Sequence, residues 1–182
     1  GIVKIGLNNF NVDATGGVPG HPLNQFSLDE FLGNLRIATT SAGSFLVNTE
    51  SVNDLYVLDS SLKHSGSILD MGKGERIFSA RFIADKGYLV TFKQIDPFYV
   101  LDLSSPTGPK QVGELKIPGF SSYLHPLADN LILGVGQEEG NVKVSLFDVA
   151  NPTNPRELSK YSLNEFWTEV QNNHHAFLQD SD

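Results

Sequence analysis

The segment Phe98-Tyr99-Val100-Leu101-Asp102-Leu103-Ser104-Ser105-Pro106-Thr107-Gly108-Pro109-Lys110 returns in near copy as Val144-Ser145-Leu146-Phe147-Asp148-Val149-Ala150-Asn151-Pro152-Thr153-Asn154-Pro155-Arg156. In each copy a β-branched and aromatic strand ends at an Asp, Ser or Asn and two prolines turn the chain, and a Lys or Arg opens the next strand. Leu55-Tyr56-Val57-Leu58-Asp59-Ser60-Ser61-Leu62-Lys63 is a shorter relative whose turn has no proline. Asp59, Asp102 and Asp148 therefore mark one point of a unit that recurs about every 45 residues. No long amphipathic helical pattern interrupts the series, so the units are stacked sheets and not helix pairs.

Taken in order, residues 2–7 and 10–18 read as two strands joined at Asn8-Asn9 and closed by Val18-Pro19-Gly20, as Ile117-Pro118-Gly119 closes a later unit. Residues 21–73 form a unit with a strand over Gln25–Leu28, a turn over Asp29–Asn34, a strand over Leu35–Thr40 and a polar insertion, Ser41–Asn53, around Phe45-Leu46-Val47. Its last strands are Leu55–Asp59 and Lys63–Leu69. Residues 74–119 repeat the order with a hairpin turn at Ala84-Asp85-Lys86-Gly87, and residues 120–164 repeat it with Asp129-Asn130 at the same point. In residues 165–182, Glu165–Val170 reads as a helical turn and His175–Asp180 as the first strand of a further unit. Four antiparallel strands in about 40–50 residues make a β-propeller blade. The expectation is an all-β propeller fragment of four-stranded antiparallel blades, about three of them whole, with partial blades over 1–20 and 165–182. Both ends read as cut from something longer, so the apolar blade faces there are expected to be covered by remaining blades of a longer chain or by self-association.

With 182 residues, 40% of them hydrophobic, the chain buries a cooperative core without staples, and it has no cysteine for disulfides or thiolate metal sites. The net charge of −8 and thirteen scattered Lys and Arg argue against nucleic acid as a partner. No window approaches ~20 apolar residues, so no membrane insertion is expected in this segment.

The repeated Asp-[Leu/Val]-x-x-Pro-x-x-Pro turn resembles that of the "LVIVD" class of extracellular propeller repeats. The wider strings Gln25–Glu30, Leu35–Thr40, Gly74–Ile77, Tyr88–Phe92, Glu114–Ser121 and Tyr123-Leu124-His125-Pro126 resemble secreted archaeal and bacterial proteins with a C-terminal β-propeller domain. The resemblance covers nearly the whole chain and implies a portion of an exported or cell-surface protein. It supplies no catalytic residue, and loops such as Ser41–Asn53 and Gln137–Gly140 inherit nothing from it.

Candidate ligand-binding residues are those on first strands, which line a propeller's central channel: Arg81, Tyr123, His125 and His175. Candidate metal ligands are Asp85, Asp129, His174 and Asp180, with His175 and Asp182 nearby, and calcium is the cofactor they would take; otherwise none is expected. Adjacent His residues on a strand point to opposite faces, which argues against one shared site. Hairpin-turn chemistry explains Asp29, Asp85 and Asp129 equally well, and Asp59, Asp102 and Asp148 are read as caps of the turns that follow them. Phe166-Trp167 reads as a hydrophobic plug between blades. Nucleophile-elbow, zinc-protease and phosphate-loop motifs are absent. The expected function is a non-catalytic module that scaffolds interaction with a protein or glycan. The alternatives are the propeller portion of a metal-dependent or hydrolytic extracellular enzyme, and a structural spacer of a surface layer.

Overall fold

The computed structural model describes residues 1–43, 49–92 and 96–180; Phe45-Leu46-Val47 and Asp182 lie outside them. A two-stranded sheet pairs β1 (Ile2–Ile5) with β2 (Val12–Gly16). Three four-stranded antiparallel sheets follow, each in simple chain order. The first holds β3 (Leu28–Phe31), β4 (Asn34–Ser41), β5 (Val52–Leu58) and β6 (His64–Met71). The second holds β7 (Arg76–Ile83), β8 (Lys86–Phe92), β9 (Asp96–Asp102) and β10 (Lys110–Ile117). The third holds β11 (Phe120–Ala128), β12 (Leu131–Glu138), β13 (Asn141–Asp148) and β14 (Arg156–Ser162). Among the described residues no helix is long and apolar enough to cross a membrane. These are propeller blades, and β7 lies beside β11, with the Ser79 hydroxyl donating to the Ser121 carbonyl at 2.7 Å.

Side-chain alternation explains the stacking. Along β9, Tyr99 and Leu101 face the first sheet and join Ala38, Leu55 and Val57, while Phe98 and Val100 face the third and meet Ile132 and Phe147. Phe98 and Phe147 stack at 4.8 Å. Burial on both faces makes the middle blade's strand a continuous apolar run, whereas β13 alternates Lys143 and Ser145 among its valines. Lys143, only 1% exposed, donates from Nζ to the Pro118 carbonyl at 2.7 Å and lies 3.8 and 3.9 Å from Glu138 and Glu157.

The repeated turn is what each blade offers its predecessor. In the β9–β10 turn, Pro106 and Pro109 lie against Gly66 of β6, where a Cβ would come within 2.5 Å of the Pro106 oxygen. In the β13–β14 turn, Pro152 and Pro155 lie against Gly113 of β10, and a Cβ there would overlap the Pro152 carbonyl. The two-stranded sheet docks on the first blade in a related way: Leu62 of the β5–β6 turn abuts Gly16, and Lys4 Nζ donates to the Ser60 carbonyl. Each turn is held by its Asp. Asp59 Oδ1 accepts from the backbone N–H groups of Ser61 and Lys63, Asp102 Oδ1 from Ser104 at 3.0 Å, and Asp148 Oδ1 from Ala150 at 2.9 Å. These are Asx-turns, and no metal is needed to account for the Asp series. Hydrogen bonds from the Ser104 hydroxyl and N–H hold the Asp102 carboxyl below its ordinary value, and the Ala150 N–H and Arg156 do the same for Asp148.

Four expectations are corrected. Gln25–Ser27 is a 3₁₀ turn and not a strand, because Asn24 caps it by accepting from the Phe26 N–H and Ser27 completes a capping box, so β3 starts at Leu28. Asp29 therefore lies in β3 and not at a hairpin tip. It holds Arg36 bidentately at 2.7 and 2.6 Å while Arg36 Nη1 donates to Ala84 of the next blade, between the rings of Phe31 and Phe82. His175–Asp180 is not a strand: 3₁₀ turns occupy Glu169–Gln171 and His174–Ala176, the second capped by Asn173. Phe166 is no plug, being 79% exposed; instead Trp167, Val170 and Phe177 line, with Val135 and Val144, a cavity of about 380 Å³ on the far face of the third blade. On the two-stranded sheet Val3, Ile5 and Val12 remain more than half exposed.

The turn-on-glycine contact gives the first expected outcome. Gly113→Ala, which pushes against backbone, should lower unfolding free energy by about 1–3 kcal/mol in urea titrations. Gly108→Ala, whose Cβ would meet only Ser105 Oγ at 3.5 Å, should leave it within about 0.5 kcal/mol. Equal effects would show that the contact does not couple the blades.

Candidate ligand surface on the inner strands

Three of the four candidate ligand residues come together. Arg81 of β7 and Tyr123 of β11 lie on neighbouring first strands, and the Arg81 guanidinium sits 4.2 Å from the Phe26 ring centre and 5.7 Å from that of Tyr123. The Tyr123 hydroxyl lies 3.2 Å from His125 Nδ1. His125 Nε2 lies 2.8 Å from Gln179 Oε1, an atom that only accepts, so Nε2 is the donor of this pair. Phe177 packs on both rings, 5.3 Å from Tyr123 and 4.6 Å from His125.

The C-terminal segment thus crosses the inner strands. His174 lies edge-on to Phe26 at 4.9 Å and its Nε2 is 3.0 Å from Gln25 Nε2, which donates to it. His175, the fourth candidate, is exposed, yet its ring is 4.0 Å from that of His174. The strand argument that sends adjacent His side chains to opposite faces fails here because the backbone is a 3₁₀ turn. Even so, no group of three or more His, Asp or Glu able to hold a metal forms among the described residues. Asp85 instead pairs with Lys86 at 3.1 Å in the β7–β8 turn, Asp129 lies in the β11–β12 turn, and Asp180 follows the 3₁₀ turns.

The electrostatics of this surface differ from those of the chain. Burial holds the Arg81 guanidinium below its ordinary value, opposed by Tyr123, and no described carboxylate pairs with it. Burial, then His175 and Arg81, push His174 down from its ordinary 6.5. Guanidinium and imidazoles gather here on a chain whose net charge is −8.

Beside this cluster a cavity of about 460 Å³ opens between Asn24, the starts of β7 and β11, and Gln171. Sequence reasoning missed Arg76, Gln171, Phe26 and Gln179. Arg76 opens a first strand and was findable as such, whereas Gln171 sits in a segment with no repeat equivalent.

The depressed His174 pKa gives a pH dependence of stability. The unfolded chain takes up the proton first, so the contribution is complete above about pH 6.5 and is lost as pH falls from there through the lower folded-state pKa. His174→Gln, which keeps a partner for Gln25, should flatten the decline in stability measured between about pH 7 and pH 5. An unchanged slope would remove His174 as its source.

Comparison with known proteins agrees with this architecture. Residues 2–182 match the family described as "Beta propeller domain". An uncharacterized protein of Archaeoglobus fulgidus is 55% identical over 180 residues, covering 99% of this chain and 28% of the relative. An uncharacterized protein of Methanocaldococcus jannaschii is 47% identical over 181 residues, covering 99% of this chain and 29% of the relative. The chain spans less than a third of the length of these curated relatives. With four-stranded blades in chain order and a family match over nearly its whole length, the chain belongs to the β-propeller domain family.

Proposed function

We propose that the chain is a non-catalytic recognition module of an exported or cell-surface protein, whose inner-strand surface meets a protein or glycan. The observation that carries this reading is how the polar groups of that surface are engaged. Both nitrogens of His125 are occupied, by Tyr123 and Gln179, and neither faces a carboxylate or a serine hydroxyl. His174 is turned to Gln25 and Phe26. General acid-base work needs an imidazole or carboxyl free to reach a reacting group, and nucleophilic work needs a hydroxyl or thiol on that base. The arrangement instead resembles a binding surface, with aromatic rings and planar donors held in fixed orientation by one another. Export rests on the resemblance of the repeat to extracellular propellers, and the exposed Val3, Ile5 and Val12 of β1 and β2 suit a surface covered by further blades or by a second copy.

The purified chain is expected to turn over none of a panel of chromogenic glycoside, ester and peptide substrates, and to contain no stoichiometric calcium or zinc by elemental analysis. Hydrolysis that disappears in Tyr123→Ala or His125→Ala while both variants keep the parent's thermal transition would overturn the reading in favour of an enzyme.

A further inference from the structure

We infer that the cavity between the starts of β7 and β11 is a binding site for an acidic sugar, a pyranose carrying a carboxylate; this rests on the recognition-module reading and names its ligand class. No Asp or Glu lines the cavity, although the chain carries twenty-one of them. Its one charged residue is Arg76, whose guanidinium lies 4.8 Å from the Phe78 ring centre and pairs with no described carboxylate. An exposed guanidinium held over an aromatic face keeps its planar fork free, and that fork matches a carboxylate bidentately.

The opposite side of the cavity supplies Gln171. Its Nε2 is buried from solvent without a hydrogen-bond partner among the described residues, so a turn of the side chain toward an acceptor entering the cavity would satisfy a donor that now has none. Asn172 adds an amide that is both donor and acceptor, and Asn24 adds its Nδ2, its Oδ1 being taken by the Phe26 N–H; such groups read vicinal hydroxyls. Phe78 and Phe120, 4.7 Å apart and inclined by 55°, form the apolar wall against which the C–H face of a sugar ring packs. At about 460 Å³ the space is of the size that encloses a small ligand. A simple carboxylate would use Arg76 alone and a neutral sugar would leave it unpaired; a uronic acid engages all three features.

The test is a titration of the isotope-labelled chain with glucuronate, followed by amide shifts, with glucose and acetate as the separate halves of the ligand and a glutamate-rich peptide as the competing class. Glucuronate should bind more tightly than either half and shift the amides at 76–78, 120–122 and 171–172. Arg76→Ala, exposed and outside the core, should weaken binding about tenfold, and Gln171→Leu about three- to tenfold, with circular dichroism unchanged. Equal shifts with glucose or acetate, shifts elsewhere, or stronger binding of the peptide would overturn the inference. A chromogenic aryl glucuronide separates the two claims. Binding here without hydrolysis supports both, and binding with hydrolysis keeps this site but overturns the non-catalytic reading. No binding and no hydrolysis overturns this site alone.

Discussion

The structure depends on a close approach of backbone to backbone: the proline-bearing turn of one blade laid on a glycine in the outermost strand of the blade before it. Pro106 and Pro109 meet Gly66, and Pro152 and Pro155 meet Gly113, so the second and third blades are placed by the same device. The device works because three choices agree. Asp fixes the turn through its carboxylate, proline removes donors that would otherwise be stranded between sheets, and the absence of a Cβ lets the carbonyl approach. Aligned in this way, the faces of β9 are sealed on both sides by aromatic and aliphatic side chains, which accounts for most of the core. Arg36 adds one polar tie, since it reads Asp29 in its own blade and the Ala84 carbonyl in the next.

What this stacking produces is a surface on the first strands to which three blades and the C-terminal segment contribute. Phe26, Arg81, Tyr123 and His174 are distant in sequence and adjacent in space, because β7 and β11 bring Arg81 and Tyr123 side by side while the 3₁₀ turns before β3 and near the C-terminal end lay Phe26 and His174 against them. The C-terminal 3₁₀ turns lie over this surface and cover part of the third blade's far face through Trp167, Val170 and Phe177. Asp102 and Asp148 are occupied in their turns, Asp148 also with Arg156, while the inner surface gathers guanidinium, imidazole, amide and ring.

The blade repeat was legible because strand periodicity, the Asp turn and the prolines all point to the same architecture, and the family match agrees with it. The turn role of Asp59, Asp102 and Asp148 was legible for the same reason: an Asp followed by polar and proline residues has a local partner in the next N–H groups. Where the local signal was weaker, tertiary context decided. Gln25–Ser27 has strand-like composition, but Asn24 offers a cap that the alternation pattern does not register. His175–Asp180 resembles a first strand, yet Asn173 caps a 3₁₀ turn over His174–Ala176 by accepting from the His175 N–H. Arg81, Tyr123 and His125 could be placed on first strands from the repeat. Their partners Phe26, Gln179 and the nearby Gln171 could not, because they lie in 3₁₀ turns and irregular backbone outside the repeating pattern.

If the turn-on-glycine contacts couple the blades, the sheets should open together. Native-state hydrogen exchange at increasing denaturant tests this directly. The account predicts that amides of β5, β9 and β13 converge on one opening free energy, equal to that of global unfolding. Three separate opening free energies, with the third sheet exchanging independently of the second, would contradict it.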